Sequence, residues 1–206
     1  MELLKDRIIR DGIIKDNNII MVDSFLNHQL DIKLLNEIGK EFYKRFKDKD
    51  INKILTIEAS GIAIAAITAQ YFNVNVVFAK KTLSTNLDDN TYESKVFSYT
   101  KNETYTVRVA KKFLDEKDRI LIVDDFLANG MALEGLIDIA CQANAKIEGI
   151  GIVIEKGFQK GGDNIRKRGL DLESLVIIDE VKDKSITFRQ WYCLNFSKMI
   201  TYYYNI

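Results

Sequence analysis

The chain has no proline, a single histidine (His28) and only two cysteines (Cys141 and Cys193) among 206 residues. Without proline, its turns must be built from Gly, Asn and Asp. Two cysteines make neither a disulfide framework nor a four-ligand metal site, so a reduced, cytoplasmic setting is expected. Cys141 falls within an amphipathic helical pattern and is expected as a small core residue. A lone histidine beside Asn27 is not a metal centre, and it has no visible carboxylate partner as a general base. His28 is therefore expected to make local loop hydrogen bonds, and Ser60 lacks the base that a nucleophilic hydrolase needs. Excess charge is missing as well: 30 basic and 30 acidic residues give a formal net charge of zero. That balance argues against a general nucleic-acid or membrane-surface binder. No apolar run approaches the ~20 residues of a membrane span, and the opening MELLKDRIIRDG is charged throughout, unlike a signal peptide. What remains, 47% hydrophobic and 29% charged, suits a single domain over 1–206 with one good core.

The most informative stretch is RILIVDDFLANGMAL, from Arg119 to Leu133. Four aliphatics, Ile120 to Val123, predict a strand buried on both faces, as in a parallel sheet covered by helices. Two acids follow, Asp124 and Asp125, and then a loop of small residues ending at Gly130. Beyond it Leu133, Leu136, Ile137 and Ala140 carry helical spacing. The expectation is strand, acidic elbow, loop, helix. Such a loop presents free backbone N–H groups and a positive dipole end to an anion. Carboxylates repel phosphate, so the two acids are expected to hold something neutral or cationic beside it, such as ribose hydroxyls. Two acids alone could simply be solvated residues ahead of a helix; with the loop they describe a receptor for a phosphorylated ribose.

The same logic recurs along the chain. Glu2 to Arg10 suits a short helix, Ile19 to Val22 a strand, and Ile32 to Phe46 a helix with apolar residues at Leu34, Leu35, Ile38, Phe42 and Phe46. KILTI (53–57) predicts a strand, EASG (58–61) a turn, and Ile62 to Phe72 a helix apolar around its whole circumference, leading to a strand at Val76 to Ala79. The polar run Lys80 to Asn90 is long for a loop and is expected to be a lid. A hairpin is expected from Lys95–Tyr99 and Thr104–Ala110, then strands at Lys146–Ile154 and Leu175–Ile178. Asp163 is a candidate cap for a helix over 164–168. The aromatic tail from Trp191 to Ile206 is expected to pack on the rest of the chain or on a second subunit. The fold class is therefore α/β, an open, mostly parallel sheet with helices on both faces and its site at the carboxyl ends of the strands. A small hood lobe is expected from roughly 1–45 and the C-terminal tail.

Aliphatics, two acids and a short loop ending in glycine resemble the phosphoribosyl-diphosphate (PRPP) signature of the type I phosphoribosyltransferases. Across Met1 to about Ile178 the likeness is to the xanthine branch of that family. It rests on VDSFLNHQ (22–29), IEASGIA (57–63), VVFAKK (76–81), DDFLANG (124–130) and GIGIVIEKGFQ (149–159). The resemblance implies transfer of 5-phosphoribose from PRPP to N9 of xanthine, giving XMP and pyrophosphate in purine salvage. It implies that Ala128, Asn129, Gly130, Met131 and Ala132 bind the 5-phosphate; relatives outside the branch carry Thr where this chain has Ala128 and Asn129. Asp124 and Asp125 would be the catalytic acids, stabilising cationic character at C1′. Glu58, Ala59, Ser60 and Gly61 would face the diphosphate, with Lys81 adding charge. Asn27 and Lys156 would read the base, and Ile20, where relatives carry Leu, would pack against it. Mg²⁺ is implied as a cofactor held mainly by PRPP, without a dedicated protein site. Homodimers are common in the family. Other readings are a phosphoribosyltransferase for another purine, such as hypoxanthine or guanine, or a non-catalytic PRPP-sensing regulator. The regulator would need a DNA-binding module, and no basic N-terminal segment of that kind is present.

Overall fold

The structure is a computed structural model, and it describes residues 1–15, 19–81, 90–98, 102–183 and 185–190. Residues 82–89 of the expected lid (80–90), 99–101 of the expected hairpin and the aromatic tail (191–206) lie outside the described residues.

The elements run α1 (Glu2–Asp11), β1 (Ile13–Lys15), β2 (Ile19–Met21), a π-helical turn (Asp23–Asn27), α2 (Ile32–Phe46), β3 (Lys53–Ile57), α3 (Ser60–Phe72) and β4 (Asn75–Ala79). After them come β5 (Thr91–Ser98), β6 (Glu103–Ala110), a 3₁₀ turn (Lys111–Phe113), β7 (Arg119–Leu127) and α4 (Met131–Gln142). The last are β8 (Lys146–Lys156), α5 (Gly161–Lys167), β9 (Leu172–Lys182) and β10 (Ser185–Phe188). A six-stranded sheet has the order β10-β9-β8-β7-β3-β4. All its pairings are parallel except the antiparallel return of β10 on β9.

β7 sits inside the sheet because its aliphatics are wanted on both sides. Leu121 and Val123 join one core layer with Leu4 of α1, Phe42 of α2 and Ile64 of α3. Ile120 and Ile122 join the other, with Leu136 of α4 and Val96 and Val107 of the β5–β6 hairpin. Successive strand residues point to opposite faces, so an unbroken aliphatic run serves two layers at once. α2 starts where Asp31 accepts the Leu34 N–H at 3.1 Å, a side-chain cap for an otherwise orphaned donor. It then lays Phe42 and Phe46 on β8 at Gly151 and Gly149, where a β-carbon would come within 2.8 and 2.5 Å of the rings. The glycines of KIEGIGIVI are there because two phenyl rings occupy their side-chain space. Residues 1–46 thus share the core with one sheet face, and the Met1 ammonium donates to the Leu175 carbonyl at 2.8 Å.

Several expectations change. Cys141 is exposed: it follows buried Ala140 by one residue, about 100° round α4 and off the core face. α3 does pack against the sheet and α2, but Ala66 and Gln70 reach solvent. Asp163 lies inside the first turn of α5, not at its cap, which is Lys160. β1, which pairs with β2, and β10 were not expected, and β5 and β9 begin earlier than their alternation suggested. No helix among the described residues is long and apolar enough to cross a membrane.

Candidate functional site

The carboxyl ends of β3, β7 and β8 converge on one region. β7 continues through both aspartates to Leu127, so the acids end a strand and do not form an elbow. Asp124 is 5% exposed, whereas Asp125 is half-buried. The Asp125 N–H donates to Asp124 Oδ1 at 3.0 Å, and the Phe126 N–H donates to Asp125 Oδ1 at 2.8 Å. Burial, reinforced by the neighbouring Asp125 charge, pushes the Asp124 carboxyl well above its ordinary value.

The loop beyond the strand turns at Gly130, whose φ of 87° is left-handed; a β-carbon there is strained, and glycine avoids the penalty. α4 then starts at Met131, with the Glu134 N–H returning to the Gly130 carbonyl at 2.8 Å. The preceding amides have no partner within the helix. Ala128 to Ala132 line a cavity of about 270 Å³ whose walls include Phe126, Lys156 and Tyr105. Gln159 lines it too, and its side-chain oxygen is buried without a hydrogen-bond partner.

The turn after β3 lies beside the aspartates. Its Glu58–Ala59 peptide is cis. The Glu58 N–H donates to the Ala79 carbonyl at 3.1 Å, Glu58 Oε1 accepts from the Lys81 N–H at 2.5 Å, and the Ile62 N–H donates to the Ala59 carbonyl at 3.2 Å. Ser60 opens α3, and Gly61 packs against Thr56 and Asp124: a β-carbon there would lie 2.1 Å from Thr56 Oγ1 and 3.2 Å from Asp124 Oδ1. Gly61→Ala is therefore expected to shift the start of α3 away from Asp124. A displacement of this kind costs about 10-fold or more in kcat/KM and lowers the melting temperature, read by steady-state kinetics and thermal unfolding. Wild-type values for both would mean that the contact yields freely.

Lys81 connects this turn to the cavity. Its ammonium sits 5.5 Å from the Tyr105 ring centroid, and burial followed by the Asp124 charge raises the Tyr105 phenol. On the other wall the Lys156 ammonium lies 5.8 Å from the Phe126 ring centroid, and burial lowers its pKa. Ile20 is 5% exposed, in the core layer against which Phe126 packs. Asn27, at the end of the π-helical turn, is exposed, as is His28. Neither Ile20 nor Asn27 lines the 270 Å³ cavity, so the structure gathers the loop and Lys156 more closely than the two N-terminal residues.

Sequence reasoning passed over Tyr105, Phe126 and Gln159. Tyr105 carried a signal, the alternation of its strand, but its placement depends on how the hairpin folds over α4. A wider groove of about 690 Å³ runs beside β4 and contains none of the candidate residues. Two of its cations are already paired, Lys53 with Asp118 and Arg108 with Glu93. Among the described residues no group of three or more His, Cys, Asp or Glu is placed to hold a metal ion.

The family description "Phosphoribosyl transferase domain" matches residues 21–189. The chain is 60% identical over 189 residues to a xanthine phosphoribosyltransferase of Clostridium novyi (strain NT), covering 92% of this chain and 100% of that protein. It is 61% identical over 189 residues to one of Alkaliphilus metalliredigens (strain QYMF), covering 92% and 94%. Among solved structures it resembles an adenine phosphoribosyltransferase of Thermoanaerobacter pseudethanolicus, with TM-score 0.70, 21% identity and coverage of 85% and 98%. It also resembles one of Giardia lamblia complexed with 9-deazaadenine, with TM-score 0.73, 23% identity and coverage of 86% and 98%. At these identities the structural likeness bears on the fold alone.

Proposed function

The chain belongs to the phosphoribosyl transferase family, and from that premise we propose that it transfers 5-phosphoribose from PRPP to N9 of xanthine, yielding XMP and pyrophosphate. The observation that carries this reading is the end of β7, where two carboxylates stand two residues before a loop and helix start that line a cavity. The 60% identity to proteins named for xanthine supports the choice of base.

In this reading N9 of xanthine attacks C1′ as the C1′–O bond to the diphosphate breaks, and the imidazole N–H proton of the base is released to solvent. The bonding pair leaves with pyrophosphate. The 5-phosphate is held by Ala128 to Ala132 through backbone N–H groups, with Asn129 and the α4 dipole assisting. Asp124 and Asp125 fix the ribose hydroxyls and offset the positive charge that develops at C1′. Glu58 to Gly61 and Lys81 receive the diphosphate. Lys156 donates to an exocyclic oxygen of the base, Ile20 packs against the ring, and Asn27 completes recognition when the hood approaches. Mg²⁺, when bound, neutralises charge on the diphosphate. Its ligands would come mainly from PRPP oxygens and water, with Asp124 and Asp125 the protein carboxylates that would join them. We place the protein in the cytoplasm as a homodimer, with residues from roughly 1–45 and the tail as hood.

The test is a spectrophotometric assay of PRPP, with magnesium, against xanthine, guanine, hypoxanthine and adenine separately. Xanthine is expected to give the highest kcat/KM. A higher value for another base reassigns the substrate, and turnover of none with tight PRPP binding makes the protein a sensor.

A further inference from the structure

We propose that Glu155 is a positioning residue that holds the phosphate loop and Lys156 at a fixed separation. It touches no substrate: it is 1% exposed, one residue before Lys156 at the end of β8. Both of its oxygens are engaged. Arg166 of α5 donates to Oε1 at 2.8 Å and to Oε2 at 2.7 Å, and the Ser174 hydroxyl donates to Oε2 at 2.5 Å. Burial opposes ionisation of this carboxyl, but Arg166 and Ser174 prevail and hold its pKa below the ordinary value.

The ion pair reaches the loop through two adjacent glycines that open α5. On one side, a β-carbon on Gly162 would lie 2.0 Å from Glu155 Oε1. On the other, a β-carbon on Gly161 would lie 2.3 Å from the Ala128 carbonyl oxygen and 2.9 Å from the Gly130 nitrogen. The Gly161 N–H donates to that same Ala128 carbonyl at 3.2 Å. The start of α5 is thus a wedge, pressed against the loop by one glycine and against the carboxylate by the next. Bidentate Arg–carboxylate geometry fixes orientation as well as distance, so Glu155 sets where the wedge stands. Through the backbone it also sets where Lys156 enters the cavity.

This inference rests on the reading of Ala128 to Ala132 as the 5-phosphate cradle. It is tested with Glu155→Gln, which keeps the volume and removes the charge, and with Gly161→Ala, which leaves the ion pair intact and pushes on Ala128. Asp118→Asn is the control. Asp118 is 7% exposed and paired with Lys53 at 2.6 Å, at the far end of β7. Glu155→Gln and Gly161→Ala are each expected to raise KM for PRPP about 10-fold, with kcat within about threefold, because the loop grips the 5-phosphate equally before and during reaction and its displacement is felt as lost uniform binding. Asp118→Asn is expected to lower the melting temperature and leave that KM unchanged. An unchanged KM in Glu155→Gln, or an equal rise in Asp118→Asn, overturns the proposal. If Glu155→Gln does not fold, Arg166→Lys, which keeps the charge and loses the fork, takes its place under the same two outcomes. Wild-type protein that turns over no PRPP overturns the parent reading instead.

Discussion

Replacing Asp125 with asparagine is expected to lower turnover of PRPP and xanthine by at least ~100-fold, since charge oriented at a reacting centre is among the largest catalytic contributions. The substitution isolates that charge. Asp125 Oδ1 accepts the Phe126 N–H at 2.8 Å, and an asparagine oxygen can accept the same hydrogen bond, so the local turn survives. A loss under about threefold would therefore mean that the acid serves only as an acceptor for that amide. Asp124→Asn gives a complementary signature. With its pKa raised by burial and by Asp125, the fold favours the neutral form of Asp124. That contribution is complete below the ordinary carboxylate range and is lost as pH rises through the folded value. An ionised carboxylate in this buried position is a burden on the free enzyme, so Asp124→Asn is expected to lose activity while melting no lower than wild type. A purely structural acid would show the reverse, a lower melting temperature with activity retained. The positive charge that develops at C1′ is what makes an ionised Asp124 useful.

How far such chemistry can be read from a chain depends on whether its cause is local. β7 was legible because four consecutive aliphatics have few ways to be satisfied other than between two layers, and the structure places all four fully inside. α2 was legible from period alone, and so was the helix beyond Gly130, whereas β7 runs on through the two acids where an elbow was expected. Elements whose existence depends on a distant partner were not legible. β10 is only four residues of mixed polarity, SITF, and is a strand because β9 offers it an edge. β1 is three residues that pair only with β2. Cys141 had the right neighbours but the wrong side of the helix. The Gly161–Gly162 pair drew no expectation from the sequence. Its actual use, fitting a short helix between a carboxylate and the loop that ends at Gly130, appears only once β8, α5 and the loop share one space.

Base selection gives the second large effect. Lys156→Ala is expected to lower kcat/KM for xanthine by about 10- to 100-fold, the range for losing a hydrogen bond to a charged group, while changing that for adenine far less. An ammonium has three donors and no acceptor. Opposite an exocyclic oxygen it is satisfied; opposite the exocyclic amino group of adenine it meets another donor, and the mismatch counts against that base. The setting strengthens this contrast. Lys156 is half-buried with the Phe126 ring beneath its ammonium, and burial lowers its pKa, so the charge is short of solvation until an oxygen arrives. Removing it leaves xanthine's oxygen without that donor and relieves adenine of the mismatch. Lys156→Met separates this from packing, because it keeps the aliphatic stem and drops only the charge. It is expected to match Lys156→Ala in kinetics and to melt no lower than wild type, since the folded state disfavours the ionised amine. Equal losses for both bases in both variants would remove Lys156 from base selection and leave discrimination to the other proposed base contacts, Ile20 and Asn27.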